Sequence, residues 1–133
     1  MRISNTLSHA MKVSSTGLYA ERTRMDVISS NIANAHSMKI GNADPYRRKD
    51  VALSGGPDGV KVTRIVEDRS AFRIVNDPNN PNADGQGNVT YSNVDPLIEM
   101  VNMIGASRAY EANVAAFNST KGMIRAALQI GRI

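Results

Sequence analysis

Two long stretches, one at each end of the chain, repeat apolar side chains every seven residues, and this repeat constrains the fold most strongly. The first stretch, residues 5–35, contains no proline and a single glycine. Its main apolar line consists of Met11, Leu18, Met25 and Ile32. Because residues seven apart lie on the same side of an α-helix, the line predicts an amphipathic helix. A helix of about 30 residues would be about 45 Å long.

A second apolar line follows two positions after the first, and its members are Val13, Ala20 and Val27. Together the two lines predict a broad apolar stripe, which Ser14 and Glu21 interrupt. Two interpretations stay open for so long a helix in a chain of 133 residues. It packs on the core of its own domain, or it extends beyond a small domain and pairs with other helices.

The second long stretch opens with Asp95 and Pro96, an acidic N-cap residue followed by the residue best tolerated at the first helical position. Its apolar line consists of Met103, Tyr110, Phe117 and Ile124. Asn113 and Thr120 lie between members of that line, and polar residues in a helical seam favour one register or partner number. Gly131 predicts the end of the helix near residue 130.

Between the two helices, valines and isoleucines lie among charged residues in short runs that are typical of β-strands. Residues 46–53 and 60–66 predict a hairpin, because the glycine-rich run at 55–59 separates them as a turn. Residues 72–75 and 89–91 predict two further short strands.

The basic cluster Arg47, Arg48 and Lys49 falls on the first predicted strand. We expect a solvated strand edge there, since positive charge discourages stray strand pairing. The formal net charge of the chain is +4, and this cluster is the main local concentration of basic residues. A nucleic-acid-binding protein concentrates positive charge more strongly on one face. We therefore expect no nucleic-acid partner.

These elements predict an α+β fold, in which long N- and C-terminal α-helices pack as a coiled-coil-like pair with a small β-hairpin-rich segment inserted between them. The expected parts are an N-terminal helix at residues 1–36, a β-rich insert at 37–95 and a C-terminal helix at 96–133. The two main apolar lines are expected to pack on each other while the β segment faces outward.

If each helix hides one line in this way, the Val13 line and a line through Val114 and Leu128 remain for neighbouring molecules. Contacts between different surfaces of neighbouring copies give rings or open helical filaments. The positions expected to serve helix packing and assembly are Met11, Leu18, Met25, Ile28, Ile32, Met103, Tyr110, Asn113, Val114, Phe117, Ile124 and Leu128. For Asn31, a bridging or capping role and simple exposure on the surface remain equally open.

The sequence offers no motif for catalysis. The absence of cysteine excludes disulfides, thiolate zinc sites and cysteine nucleophiles. His9 and His36 lack the spacing of a zinc motif, and Glu99 and Glu111 are twelve positions apart, too far for a carboxylate pair on one helix. We expect no enzyme, no cofactor and no small-molecule substrate.

A loop rich in asparagine and aspartate, residues 76–87, resembles a calcium-binding loop in its first half only. Asn80, Asn82, Asp84 and Gly85 have the alternating spacing, but position twelve would be Tyr91, where such loops need a glutamate. We expect successive turns and no metal.

Several strings in the sequence are more specific than its periodicity. They are SSTGL at 14–18, RMDVISSNIANA at 24–35, PYRRKDV at 45–51, NVDP at 93–96 and ASRAYEANV at 106–114. On these strings the chain resembles the flagellar basal-body rod proteins, most closely the FlgC family of the proximal rod. It departs from that family mainly at residues 36–44, where relatives more often have a threonine-containing, glycine-rich link.

The resemblance implies a structural subunit of the basal-body rod that assembles helically through its terminal helices and transmits torque across the periplasm. It implies export of a largely unfolded chain through the flagellar type III apparatus, without a cleaved signal peptide, followed by folding against neighbouring subunits. The implied partners are the rod proteins FlgB, FlgF and FlgG, the rod adaptor FliE, neighbouring copies of the chain and the export apparatus. A soluble helical adaptor or secretion chaperone for flagellar axial subunits remains the alternative.

Overall fold

The computed structural model of the chain describes residues 2–131. Its elements are helix α1 (Arg2–Ala33), strands β1 (Lys49–Gly56), β2 (Gly59–Glu67), β3 (Arg73–Asn76) and β4 (Asn88–Tyr91), and helix α2 (Pro96–Ile130). The predicted α+β class, with two long terminal helices around a β-hairpin-rich segment, is confirmed. Neither described helix is long and apolar enough to cross a membrane.

Helix α2 begins and ends where its local chemistry predicts. The carboxylate of Asp95 accepts hydrogen bonds from the backbone N–H groups of Leu97 and Ile98, at 2.9 and 3.4 Å. Pro96 occupies the first turn, where its missing N–H removes no helical hydrogen bond. At the other end, the N–H of Gly131 donates to the carbonyl of Ala127 at 3.1 Å.

The first hairpin pairs β1 with β2 in antiparallel register, from Lys49 opposite Glu67 to Gly56 opposite Gly59. The strand begins at Lys49, three residues later than expected. The reason is that the N–H of Arg48 donates to the side chain of Asn93 at 2.7 Å instead of joining a strand.

The second hairpin pairs β3 with β4, and the long loop between them is closed by its own turns. The Asp84 carboxylate accepts hydrogen bonds from the N–H groups of Asn88 and Gln86, at 2.9 and 2.8 Å. These bonds lower the pKa of Asp84. Within residues 2–131, no three histidine, aspartate or glutamate side chains are grouped to hold a metal ion.

The two helices run antiparallel and pack on each other. Asn31 of α1 bonds to Glu99 of α2, and a Cβ added to Gly17 would lie 2.8 Å from the side chain of Asn113. Both steps, from Asn31 to Gly17 and from Glu99 to Asn113, cover 14 residues, so the two helices keep one register along about 21 Å.

The first hairpin packs along α1. Its backbone N–H at Val60 donates to the hydroxyl of Thr16, at 3.1 Å. Two members of the second apolar line of α1, Ala20 and Val27, are buried inside the subunit. The expectation that this line stays available to neighbours is therefore wrong, because the helix buries it in packing with the other elements of the same subunit.

Candidate assembly surface and buried polar cluster

A carboxylate lies fully buried where three parts of the chain meet. Glu99, in the first turn of α2, is 0% exposed. One of its oxygens accepts a hydrogen bond from the guanidinium Nε of Arg48 at 2.8 Å. The other accepts from the side-chain Nδ2 of Asn31 at 2.9 Å. The charge is therefore paired and hydrogen-bonded, as a buried carboxylate requires.

Asn31 connects this carboxylate to the start of the first hairpin. Its Nδ2 also donates to the carbonyl of Lys49 at 2.8 Å, and its Oδ1 accepts from the N–H of Lys49 at 3.0 Å. The hydroxyl of Tyr46 donates to the same Oδ1 at 3.0 Å. Asn31 is fully buried, so the bridging role left open by the sequence is the one it takes. We call Asn31, Tyr46, Arg48 and Glu99 the Glu99 cluster.

Two further carboxylates lie near the guanidinium of Arg48, with Asp50 at 3.5 Å and Asp68 at 3.6 Å. Burial works against the charged form of Arg48, but the hydrogen bond and charge of Glu99 outweigh it and raise the pKa of Arg48. Hydrogen bonds from Ser70 lower the pKa of Asp68, with a smaller contribution from Arg48. Arg48 therefore stays protonated, with negative charge on several sides.

The expectation of a solvated basic strand edge is wrong for this segment. The guanidinium of Arg48 forms an ion pair with Glu99. Its neighbour Arg47 donates to the carbonyls of Asp68 and Ser70, at 3.3 and 3.1 Å. The guanidinium of Arg47 also lies 4.1 Å from the ring centre of Phe72, a cation–π contact. Both arginines hold the segment before β1 against the rest of the subunit.

The side chains of the Glu99 cluster join α1, α2 and the segment before β1 to one another. Every buried side-chain nitrogen and oxygen among the described residues has a hydrogen-bond partner. A cavity of about 130 Å³ adjoins the cluster, lined mainly by polar groups that include Arg24, Arg48, Glu99 and Asn102. A space of this size and polarity suits a few water molecules.

On α2, the buried face of the helix contact holds small and polar side chains in place of large aliphatic ones. Ala106 and Thr120 are buried on α2, and Gly17 on α1 lies directly against Asn113. Small residues let the two backbones approach closely.

The positions expected to serve packing and assembly follow this arrangement. Ile28 is buried, and Leu128 is 66% exposed. The remaining expected positions are half-buried: Met11, Leu18, Met25, Ile32, Met103, Tyr110, Asn113, Val114, Phe117 and Ile124. Their part in assembly stays a prediction.

Sequence reasoning missed the Glu99 cluster, although one signal for it was present. Glu99, Ala106, Asn113 and Thr120 recur every seven residues, so the buried face of α2 includes a carboxylate. A glutamate on such a line needs a cationic partner, and the nearest basic cluster in the sequence contains Arg48.

Exposed apolar surface concentrates on α2. Leu97, Met100, Val101 and Ile104 occupy spacings of three and four residues and are all more than half exposed. Among the described side chains of α1, the large exposed hydrophobic residue is Tyr19. An apolar helix face of this kind is typical of a surface that meets another molecule.

Two protein-family models match the parts of the chain that contain the two long helices. A family model described as "Flagella basal body rod protein" matches residues 11–36, within α1 and just beyond its end. Another, described as "Flagellar basal body rod FlgEFG protein C-terminal", matches residues 86–130, which include α2.

Individual relatives match almost from end to end. The flagellar basal-body rod protein FlgC of Bacillus subtilis (strain 168) is 44% identical, over 96% of this chain and 99% of the relative. The FlgC protein of Borreliella burgdorferi is 40% identical, over 93% and 97%. That of Escherichia coli O157:H7 is 37% identical, over 95% and 98%. With this identity along nearly the whole of both chains, the chain belongs to the FlgC family of flagellar basal-body rod proteins.

Proposed function

We propose that this structural subunit of the flagellar basal-body rod keeps its two helices paired within the assembled rod, and that torque passes through that pair. The observation that carries the proposal is the antiparallel helix contact, which the Glu99 cluster ties to the first hairpin. A unit tied at a buried ion pair resists sliding of one helix along the other, because sliding would leave charges buried without partners.

The half-buried side chains of the two main apolar lines are the proposed assembly positions. The line Met11, Leu18, Met25 and Ile32 and the line Met103, Tyr110, Phe117 and Ile124 each keep part of their surface uncovered in the isolated subunit. Apolar surface that one subunit leaves uncovered gains stability when a neighbour covers it. The exposed Leu128 extends this surface toward the end of α2.

The proposed partners are other rod components. Within that class we propose FlgB, FlgF and FlgG, the adaptor FliE and neighbouring copies of this chain, with the type III export apparatus as a transient partner. We place the subunit in the periplasmic part of the basal body and propose that it is exported without a cleaved signal peptide. Membership of the FlgC family supports the basal-body location.

We propose that the subunit works by packing, without catalysis. Its buried polar groups are engaged with one another, and the large exposed apolar side chains point to contacts with protein. The division into an N-terminal helix at residues 1–36, a β-rich insert at 37–95 and a C-terminal helix at 96–133 is part of the same proposal.

Deleting the gene and imaging purified basal bodies by electron microscopy tests this function. We expect rings without a complete rod in the deletion strain, and complete rods when the intact gene is restored. A complementing gene with Phe117→Ala should restore fewer rods than one with Arg22→Ala, a change at an exposed position of α1. Complete rods in the deletion strain would contradict the proposal and favour the helical adaptor or secretion chaperone.

A further inference from the structure

An aspartate is followed directly by a glycine at two places in the chain. Asp58 and Gly59 lie at the turn of the first hairpin, and Asp84 and Gly85 lie in the loop between β3 and β4. In such a pair the backbone nitrogen of the glycine approaches the carboxyl carbon of the aspartate closely, because glycine has no side chain to block it. Both places therefore have the local chemistry for isomerisation of the aspartate.

The isomerisation starts from the protonated carboxyl group. The glycine nitrogen bonds to the carboxyl carbon and loses its proton, and the carboxyl OH leaves as water, which gives a five-membered succinimide ring. Water then adds to one of the two ring carbonyls and breaks its bond to the nitrogen. Opening at the former side-chain carbonyl restores aspartate, and opening at the backbone carbonyl gives isoaspartate. One water leaves and one enters, so no oxidant or reductant is needed.

The loop around Asp84 holds this carboxylate away from the reaction. The carboxylate accepts hydrogen bonds from the backbone N–H groups of Gln86 and Asn88, at 2.8 and 2.9 Å. These bonds favour the ionised form and lower the pKa of Asp84. The ring needs the protonated carboxyl group turned toward the nitrogen of Gly85, so both hydrogen bonds must break first.

The carboxylate of Asp58 has no such restraint. Within the described part of the chain, no backbone N–H donates to it, and its contact is with the Nε2 of His9 at 3.5 Å. The two side chains are 69% and 50% exposed, so this contact holds the carboxylate only weakly. Gly59 pairs with Gly56 at the end of the strand ladder. The end of a ladder opens more readily than its centre, which frees the nitrogen of Gly59.

We propose that Asp58 is a modification site of the folded subunit, which converts to isoaspartate through a succinimide with Gly59, while the fold protects Asp84 from the same reaction. Isoaspartate adds one carbon to the backbone at the tip of the hairpin. That tip has no spare room, since a Cβ added to Gly59 would run into the hydroxyl of Thr16. The same hydroxyl accepts the N–H of Val60, so isomerisation loosens the hairpin tip from α1.

Peptide analysis of purified basal bodies tests the site, because trypsin separates the two aspartates. Cleavage after lysine and arginine gives one peptide, residues 50–61, with Asp58 and another, residues 74–108, with Asp84. After several weeks at physiological temperature, the isomeric peptides are separated by liquid chromatography against synthetic standards. We expect about tenfold more isoaspartate at residue 58 than at residue 84, the effect on a rate of keeping two ordinary hydrogen bonds.

The same incubation of basal bodies dissolved in guanidinium chloride is the control for the fold. The hydrogen bonds to Asp84 are lost there, so residues 58 and 84 should isomerise at similar rates. In water labelled with heavy oxygen, the products at residue 58 should carry the label, because each opening of the succinimide adds one oxygen from the solvent.

The variant Asp58→Glu keeps a carboxylate at the turn and should show no isomerisation at residue 58, since the extra carbon would require a six-membered ring. Equal isomerisation of residues 58 and 84 in folded basal bodies would overturn the proposal. So would an excess at residue 84, or no isoaspartate at residue 58 while the dissolved chain forms it. Each of these results leaves the rod function standing, because the recovered peptides place the chain in basal bodies whether or not it is modified.

Discussion

At the scale of single residues, Glu99 is the buried side chain at which α1, α2 and the segment before β1 meet. Its carboxylate holds α1 through Asn31 and the segment before β1 through Arg48, so one buried side chain ties three parts of the chain. Removing one partner of a buried ion pair leaves the other charge without compensation, which costs more than the pair itself contributes. The cluster therefore favours one specific arrangement of α1, α2 and the segment before β1 more than it adds net stability.

Replacing Glu99 by alanine should lower the free energy of unfolding by roughly 3 to 5 kcal/mol, because Arg48 and Asn31 would lose their shared acceptor. Urea denaturation followed by circular dichroism measures the change. The paired variant Glu99→Leu with Arg48→Met should lose less than the sum of the two single changes, since no buried charge remains. Additive losses would show that the two side chains are not coupled.

The lowered pKa of Asp68 predicts that this residue makes an acid-sensitive contribution to stability. Ser70 and, more weakly, Arg48 lower its pKa in the folded chain. A lowered folded pKa means that the contribution is present above the ordinary value of about 4 and is lost as the pH falls through the folded pKa. The free energy of unfolding should therefore fall below about pH 4, and less steeply in Asp68→Asn. If the free energy of unfolding fell as steeply with pH in that variant, Asp68 would not contribute to the acid sensitivity.

At the scale of elements, the close approach of the first hairpin to α1 depends on one glycine. Gly59 has a φ of +109°, which L side chains rarely adopt, and a Cβ there would run into the hydroxyl of Thr16. That hydroxyl accepts the N–H of Val60 and donates to the carbonyl of Val13. The turn, the helix and the hairpin thus meet at one hydroxyl group.

Gly59→Ala should destabilise the subunit by about 1 to 3 kcal/mol, through backbone strain and loss of the hairpin contact. Hydrogen exchange should show the loss first in the amides of β1 and β2. Gly56→Ala is the matched control, since a Cβ there meets nothing within 4 Å and its φ is not positive. If the two changes destabilised the subunit equally, the close approach of Gly59 to Thr16 would not contribute to stability.

At the scale of the whole molecule, the features that depend on local chemistry could be predicted and those that depend on distant residues could not. The two helices, the first hairpin and the Asp95 cap follow from periodicity and turn residues. Periodicity cannot tell which of two adjacent apolar lines on α1 is buried, since the other elements of the subunit decide it. Periodicity also cannot predict that Glu99 pairs with Arg48, because Arg48 is 51 positions away in the sequence.

The central claim is that the antiparallel helix pair stays intact within the assembled rod. Gly17 and Asn113 are in direct contact across the pair, so cysteines at both positions lie within disulfide range. The measurement is cross-linking of Gly17→Cys with Asn113→Cys in purified basal bodies, with the isolated chain as control. We expect a disulfide within each subunit in both samples and rods of normal length. Links within the isolated chain but between subunits, or absent, in basal bodies would show that the helices separate on assembly.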